Sequence, residues 1–306
     1  MSDITILDWL LQSDPAIRWQ VMRDLAGESE HVVAAERARV ATEGWGRRLL
    51  ASQHPKNQWS DGSYKSLLQS PDGSACQVLH LLHDMGLDPA SDQSRRAIGF
   101  IRENVTQYEG GKPYFAGETE PCINGRILLE GAYFGEPNAA LLDLLLSEQL
   151  DDGGWNCDSP KSKRSSFATT LCVLEGLYAY EVSQGADPRI TRARVRGEEY
   201  LLERRLFRSL TSGTVVDPEW PEFSYPNGWH YDILRALDYL RSAGRKPDVR
   251  ISETIGIVEK NRGADGRWPL QRVHKDVYHF DMGEAEGQAS RWITLRALRV
   301  LKWAEQ

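Results

Sequence analysis

The chain has 306 residues, 41% apolar and 26% charged, enough for a sizeable core and too hydrophobic for a disordered segment. A formal charge of −7, with no cluster of Lys and Arg interleaved with aromatics, argues against a nucleic-acid partner, and no run of about 18 apolar residues offers a membrane span. Trp, at 10 residues, outnumbers Phe, at 7, and composition alone leaves that surplus unexplained.

The stretch from Met1 to Trp9 lacks a basic region followed by a long apolar one, so a cytoplasmic location is expected. In that setting Cys76, Cys122, Cys157 and Cys172 are expected to be reduced thiols or ligands, not a disulfide framework. Further along, six related helical segments can be written beneath one another, at 18–25, 76–82, 125–131, 172–177, 231–237 and 292–298. Their spacing runs from 46 to 61 residues, about 55 on average, which suits a repeat of two helices. The segments are apolar nearly all round and carry small residues such as Gly131, Gly176, Ala236 and Ala297, as helices buried on both sides do. The more charged, amphipathic stretches between them, 94–103, 192–205 and 250–260, read as outer helices. Glycine and proline punctuate the joints and no segment shows sustained alternation, so the expected fold is all-α, with residues 1–306 forming one repeat-built domain.

A second periodic feature precedes the inner segments: Gln149 through Asp152-Gly153-Gly154-Trp155, Asn261 through Asp265-Gly266-Arg267-Trp268, and a worn copy from Gln53 to Trp59. Asp and Gly there supply a tight turn, and the following Trp can cover a helix end while its indole N–H finds a carbonyl. Two glycines directly after Asp151-Asp152 favour a turn over a helical diphosphate-Mg²⁺ site. The pattern resembles the QW motif of squalene and hopene cyclases. With the helix-pair repeat, the chain from about residue 14 to 303 resembles the terpenoid cyclase and protein prenyltransferase superfamily. That resemblance implies an α/α toroid of about six helix pairs and a non-redox cyclase-like or prenyltransferase-like enzyme acting on an isoprenoid or other apolar small molecule.

If the inner helices run parallel around a ring, their N-termini converge on one mouth of a central cavity, where unpaired N–H groups favour anions. The residues just before and inside those starts are therefore the candidate site. Asp158, His230, Tyr231 and Asp232 are the expected catalytic groups. Arg291, Trp292, Trp229, Asn124, Thr169 and Trp59 are the expected substrate contacts. The Asp-x-Asp-Asp acid motif of the class II cyclases is absent, leaving Asp232, Asp158 or Asp281 as the acid, if burial raises its pKa. The prenyltransferase resemblance implies instead a Zn²⁺ ion that activates a thiol. Cys122 and Cys157 are ligands of the right type, with His230 or His279 standing in for the family's His, which falls near Ala168 or Thr169. A third reading is a cavity lined by aromatics, Trp59, Trp155, Trp229, Trp268 and Trp292 among them, around an apolar or cationic molecule; Trp155 and Trp268 equally suit helix-end covers.

Three other features have simpler explanations. His80 and His83 share a helix face as metal pairs do, but the His80 column also holds Arg23, Leu129, Glu175, Arg235 and Arg296, which reads as a polar helix position. Arg18-Trp19 and Arg291-Trp292 share columns in the first and last repeats and would be neighbours in a closed ring, as a structural clasp or, for Arg291, an anion ligand. The basic stretch 161–166 reads as a solvated loop, with a lid over the mouth as the alternative. A non-catalytic toroid that binds a small molecule or peptide is the reading from a different class.

Overall fold

The computed structural model of the chain describes residues 5–51, 75–107, 111–275, 277 and 280–306. Thirteen α-helices hold most of them, and β structure among them is confined to isolated bridges. In chain order the helices are α1 (Ile6–Leu11), α2 (Pro15–Val21), α3 (Glu30–Ala38), α4 (Gly44–Ala51), α5 (Ala75–Met85), α6 (Asp92–Asn104), α7 (Pro121–Phe134), α8 (Ala139–Ser147), α9 (Phe167–Gln184), α10 (Pro188–Glu203), α11 (Ile233–Ser242), α12 (Ser252–Lys260) and α13 (Arg291–Ala304). The six recurring segments fall on α2 with the π-turn that extends it, α5, α7, α9, α11 and α13. The expected outer stretches fall on α6, α10 and α12, while α1, α3, α4 and α8 were not anticipated. Trp59, His279 and the worn pattern at 53–59 lie outside the described residues.

Local chemistry sets the helix starts. The side chains of Asp14, Ser166, Asp232 and Ser290 each accept from a first-turn amide, at the heads of α2, α9, α11 and α13. Proline opens α2, α7 and α10, where its missing N–H has no helical partner to lose. Contact then passes along the recurring set: α2 touches α5, α5 touches α7, α7 touches α9, and α11 touches α13. Arg235 of α11 bridges to Glu175 of α9 through two hydrogen bonds of 2.9 and 2.6 Å. The last member returns to the first, where Arg299 of α13 donates to Gln20 at 2.6 Å and pairs with Asp24 at 2.5 Å.

The closest helix approach, between α7 and α9, is made by two glycines. A β-carbon at Gly176 would stand 2.2 Å from the Gly125 carbonyl oxygen, and one at Gly125 would stand 2.5 Å from the Cys172 carbonyl oxygen. Trp155 and Trp268 are fully buried and make the same contacts one after the other. Each indole N–H donates to a carbonyl near the end of the preceding outer helix, Leu145 of α8 at 2.7 Å and Val258 of α12 at 2.6 Å. Each backbone N–H donates to a threonine of the next inner helix, Thr170 or Thr294, at 3.0 Å. Both indoles therefore cover helix ends, and neither lines a cavity.

Candidate functional site

The residues expected at the helix mouths are mostly occupied in holding the backbone. Asp232 is buried, and its carboxylate takes the Arg235 amide at 2.8 Å, the Asn227 amide group at 2.6 Å and the Ser224 N–H and hydroxyl at 3.3 Å. Burial pushes its pKa up against those bonds and two arginines. Tyr231 donates to the Leu206 carbonyl at 2.6 Å and packs against Phe167 and Trp220. Asn124 clasps both the N–H and the carbonyl of Glu118. His230 stacks on His274 with ring centres 3.7 Å apart, and on Trp229. Arg291 lies over Trp9, and Arg18 pairs with Glu36, so these two arginines are held separately and form no common clasp. Asp158 and Asp281 are exposed, as are Lys161, Lys163 and Arg164 of the basic stretch 161–166.

Two predicted residues from distant parts of the sequence do meet. Cys122, in the first turn of α7, and Cys157, in the connection from α8 to α9, have their sulfurs 2.8 Å apart. Thr169 comes within 3.4 Å of Cys157, and Glu120 lies 3.7 Å from Cys122. Among the described residues Glu120, Cys122 and Cys157 form the one group of three potential metal ligands, with ligand atoms within 4.8 Å of one another, and His230 is not a member. Two thiolates on a tetrahedral zinc, each about 2.3 Å from the ion, stand about 3.8 Å apart. The three donors are of types zinc takes, while the sulfurs here are closer than that and the histidine the prenyltransferase resemblance implies is not among them.

The large cavity lies elsewhere. A space of about 590 Å³ is lined mainly by the middle and C-terminal turns of the recurring helices, joined by Arg235 and Trp292 from the first turns of α11 and α13 and by Asn227, and it reaches the surface beside the exposed Arg23 and Val182. The segment 224–231 packs against the first half of α7 and the N-terminal turns of α11 and α13. Arg126 and Arg235 both donate to the Gly228 carbonyl, Arg296 donates to Asn227 at 2.6 Å, and Tyr225 stacks on Trp292 at 4.4 Å. The capping side chains of Asp14, Ser166, Asp232 and Ser290 each take a first-turn N–H, which reduces the partial charge that made the helix starts attractive as an anion site.

All six members of the column Arg23, His80, Leu129, Glu175, Arg235 and Arg296 line this cavity. So do His83, Ala132, Tyr178, Asp238 and Arg299 one turn further on. The polar column therefore faces this cavity, which opens to solvent beside Arg23. Of the expected substrate contacts, Trp292 alone is on the cavity wall among the described residues.

The wall is cationic and aromatic. Arg23, Arg37, Arg235, Arg296 and Arg299 face Asp84, Glu175 and Asp238, with Trp19, Tyr133, Tyr178, Tyr239 and Trp292 between them. Arg23 and Arg37 lie over the Trp19 ring at 4.6 and 5.3 Å. Arg37 donates to two neutral oxygens, the Gly86 carbonyl and the Tyr133 hydroxyl, each at 2.8 Å. Arg296 reaches Asp84 at 3.2 Å, and His83 lies 3.3 Å from the same carboxylate. Burial pushes Asp84 up, but His80, His83 and Arg296 outweigh it and hold the carboxylate well below its usual range. Burial holds the His80 imidazole neutral. Behind it, 3.9 Å away, the fully buried Glu130 is pushed up to about 8 by desolvation, although Arg126 and the Tyr114 hydroxyl pull it down. Among the described residues eleven buried side-chain polar atoms have no hydrogen-bond partner, and three of them are the Trp292 indole nitrogen, the His80 Nδ1 and the Arg299 Nε. All three belong to residues of the cavity wall.

No protein-family model matches the chain, and no curated protein does. Among solved structures it is similar to an arginine-to-alanine variant of the type II terpene cyclase MstE from Scytonema in complex with geranylgeranyl dihydroxybenzoate, with TM-score 0.45 and 13% identity over 95% of this chain and 85% of that one. The apo form of the same cyclase aligns with TM-score 0.42 and 13% identity over 95% and 87%.

Proposed function

We propose that the chain is a single-domain α/α toroid of helix pairs whose cavity takes a small molecule with an apolar body and an anionic group, an isoprenoid diphosphate being the class that meets both demands. The reading keeps the non-redox, cyclase-like or prenyltransferase-like activity that the sequence motifs imply. It moves the working end from the helix starts to the opposite half of the ring. The supporting observation is the cavity wall: five arginines against three carboxylates, interleaved with five aromatic rings. Four of these arginines already have carboxylate partners, whereas Arg37 donates only to neutral oxygens, so an anionic head gives it the charged acceptor that a plain hydrocarbon would not.

His80 is the wall residue placed to pass on a proton. Its neutral ring stands between the cavity and Glu130, a carboxyl that stays largely protonated near neutral pH, and the 3.9 Å gap closes to a hydrogen bond with a small shift. The reading uses no metal ion.

The test compares farnesyl diphosphate, farnesol and inorganic pyrophosphate by thermal shift and then by product analysis. A ligand at 100 times its dissociation constant adds about 2.7 kcal/mol, a clear rise in melting temperature. Farnesyl diphosphate is expected to give the largest rise, pyrophosphate a smaller one and farnesol none. No shift with any of the three would remove the reading. A shift without turnover would leave the non-catalytic toroid in its place.

A further inference from the structure

The paired thiols lie outside the cavity and have no part in the reading above. We infer that Cys122 and Cys157 form a reversible intramolecular disulfide, a redox modification site joining the head of α7 to the connection that leads into α9. Their sulfurs are 2.8 Å apart, so a movement below 1 Å brings them to the bond length of about 2.05 Å. Both residues are half-buried, so an oxidant can reach them. The other two cysteines are not placed for this exchange: Cys76 and Cys172 are buried in different surroundings, Cys76 against Glu130 at 3.8 Å and Cys172 against Arg235 at 3.5 Å. The surroundings suit exchange chemistry. The Cys157 thiol donates toward Cys122, and the Thr169 hydroxyl, 3.4 Å from the Cys157 sulfur, can donate to it once that proton has left, so the Cys157 sulfur can carry negative charge and attack.

With a small disulfide as oxidant, the step balances. The Cys157 thiolate attacks one sulfur of glutathione disulfide and expels one glutathione thiolate, giving a mixed disulfide. The Cys122 sulfur, losing its proton to solvent, then displaces the second glutathione. Two electrons and two protons pass from the protein to the oxidant, which leaves as two glutathione thiols. The product ties together two segments 35 residues apart in sequence.

The experiment uses the full chain, reduced and then equilibrated in buffers of increasing glutathione disulfide, with thiols alkylated after denaturation and the digest read by mass spectrometry. The expected result is loss of two of the four thiols, a cross-linked peptide pair containing Cys122 and Cys157, full reversal by dithiothreitol, and a melting temperature a few degrees higher in the oxidised form. The Cys122→Ser variant is expected to stop at a stable glutathione adduct on Cys157, while a Cys76→Ser, Cys172→Ser double variant still loses two thiols. Four thiols surviving the most oxidising buffer would overturn the inference. So would a cross-link through another pair, or one equivalent of zinc in protein purified without chelator that blocks oxidation until it is removed. The wild-type thiol count stands even where a variant fails to fold.

Discussion

Glu130 has no solvent contact, yet it sits among groups that prefer it charged and groups that prefer it neutral. Desolvation raises its pKa to about 8, with Arg126, Tyr114 and Cys76 opposing. The folded protein therefore holds this proton across a range in which the unfolded chain has released it. The resulting stability is fully present below the ordinary carboxylate pKa of about 4.5 and is lost as pH rises through about 8. In Glu130→Gln that slope disappears, so the variant is expected to gain on the wild type by of order a few kcal/mol between about pH 5 and pH 8, read from urea midpoints. A difference that stays constant across the range would show that Glu130 is ionised in the fold. Asp84 does not confuse the comparison, because His80, His83 and Arg296 outweigh its burial and hold it low, and its contribution is lost only as pH falls below the usual carboxylate range.

Among the elements, the pair α7 and α9 has the least room. Gly176→Ala pushes a methyl group into the Gly125 backbone, and α9 cannot shift away without disturbing the pair between its Glu175 and Arg235. The expected loss is about 1–3 kcal/mol or more, seen as a lower urea midpoint with an unchanged slope. Gly256, in α12, supplies the control. A β-carbon there meets nothing within 4 Å, and Gly256→Ala is expected to stabilise by roughly 0.4–1 kcal/mol through the unfolded chain. Equal effects at the two sites would mean that close packing does not set the α7 and α9 distance. The short outer helix α8 belongs to the same scale. Its run of leucines gives little amphipathic signal, and it became recognisable only once Trp155 was seen to cover its end.

Closure belongs to the whole molecule. Arg299 is buried where the last helix meets the first, and it serves both the Asp24 and Gln20 contacts and the cavity wall. Burial lowers its pKa to about 10, which leaves it charged at neutral pH. Arg299→Met is expected to cost about 3 kcal/mol by leaving Asp24 with only its more exposed partner Arg23, and to weaken the farnesyl diphosphate thermal shift. Unfolding followed with and without the diphosphate separates the two effects. An unchanged melting temperature would show that the contact between α13 and α2 carries no weight in stability.

Much of this was legible from the chain alone. The six inner segments, three of the outer ones and the tryptophan-bearing turns follow from periodicity and turn chemistry, which are local and recorded in neighbouring residues. The column through Arg23, His80, Glu175, Arg235 and Arg296 was visible too, but a polar stripe on a helix reads the same whether it faces bulk water or a cavity. Contact between α13 and α2 decides that question, and it joins residues nearly 280 apart in sequence. Which end of the helices stays open was equally hidden. Helix-start electrostatics favoured the N-terminal mouth, whereas long-range bonds from Arg126 and Arg296 hold the 224–231 segment beside the starts of α11 and α13. The meeting of Cys122 and Cys157 mixes the two: their residue types marked them in the sequence, while the distance that matters to their chemistry is set by how α7 packs against the approach to α9.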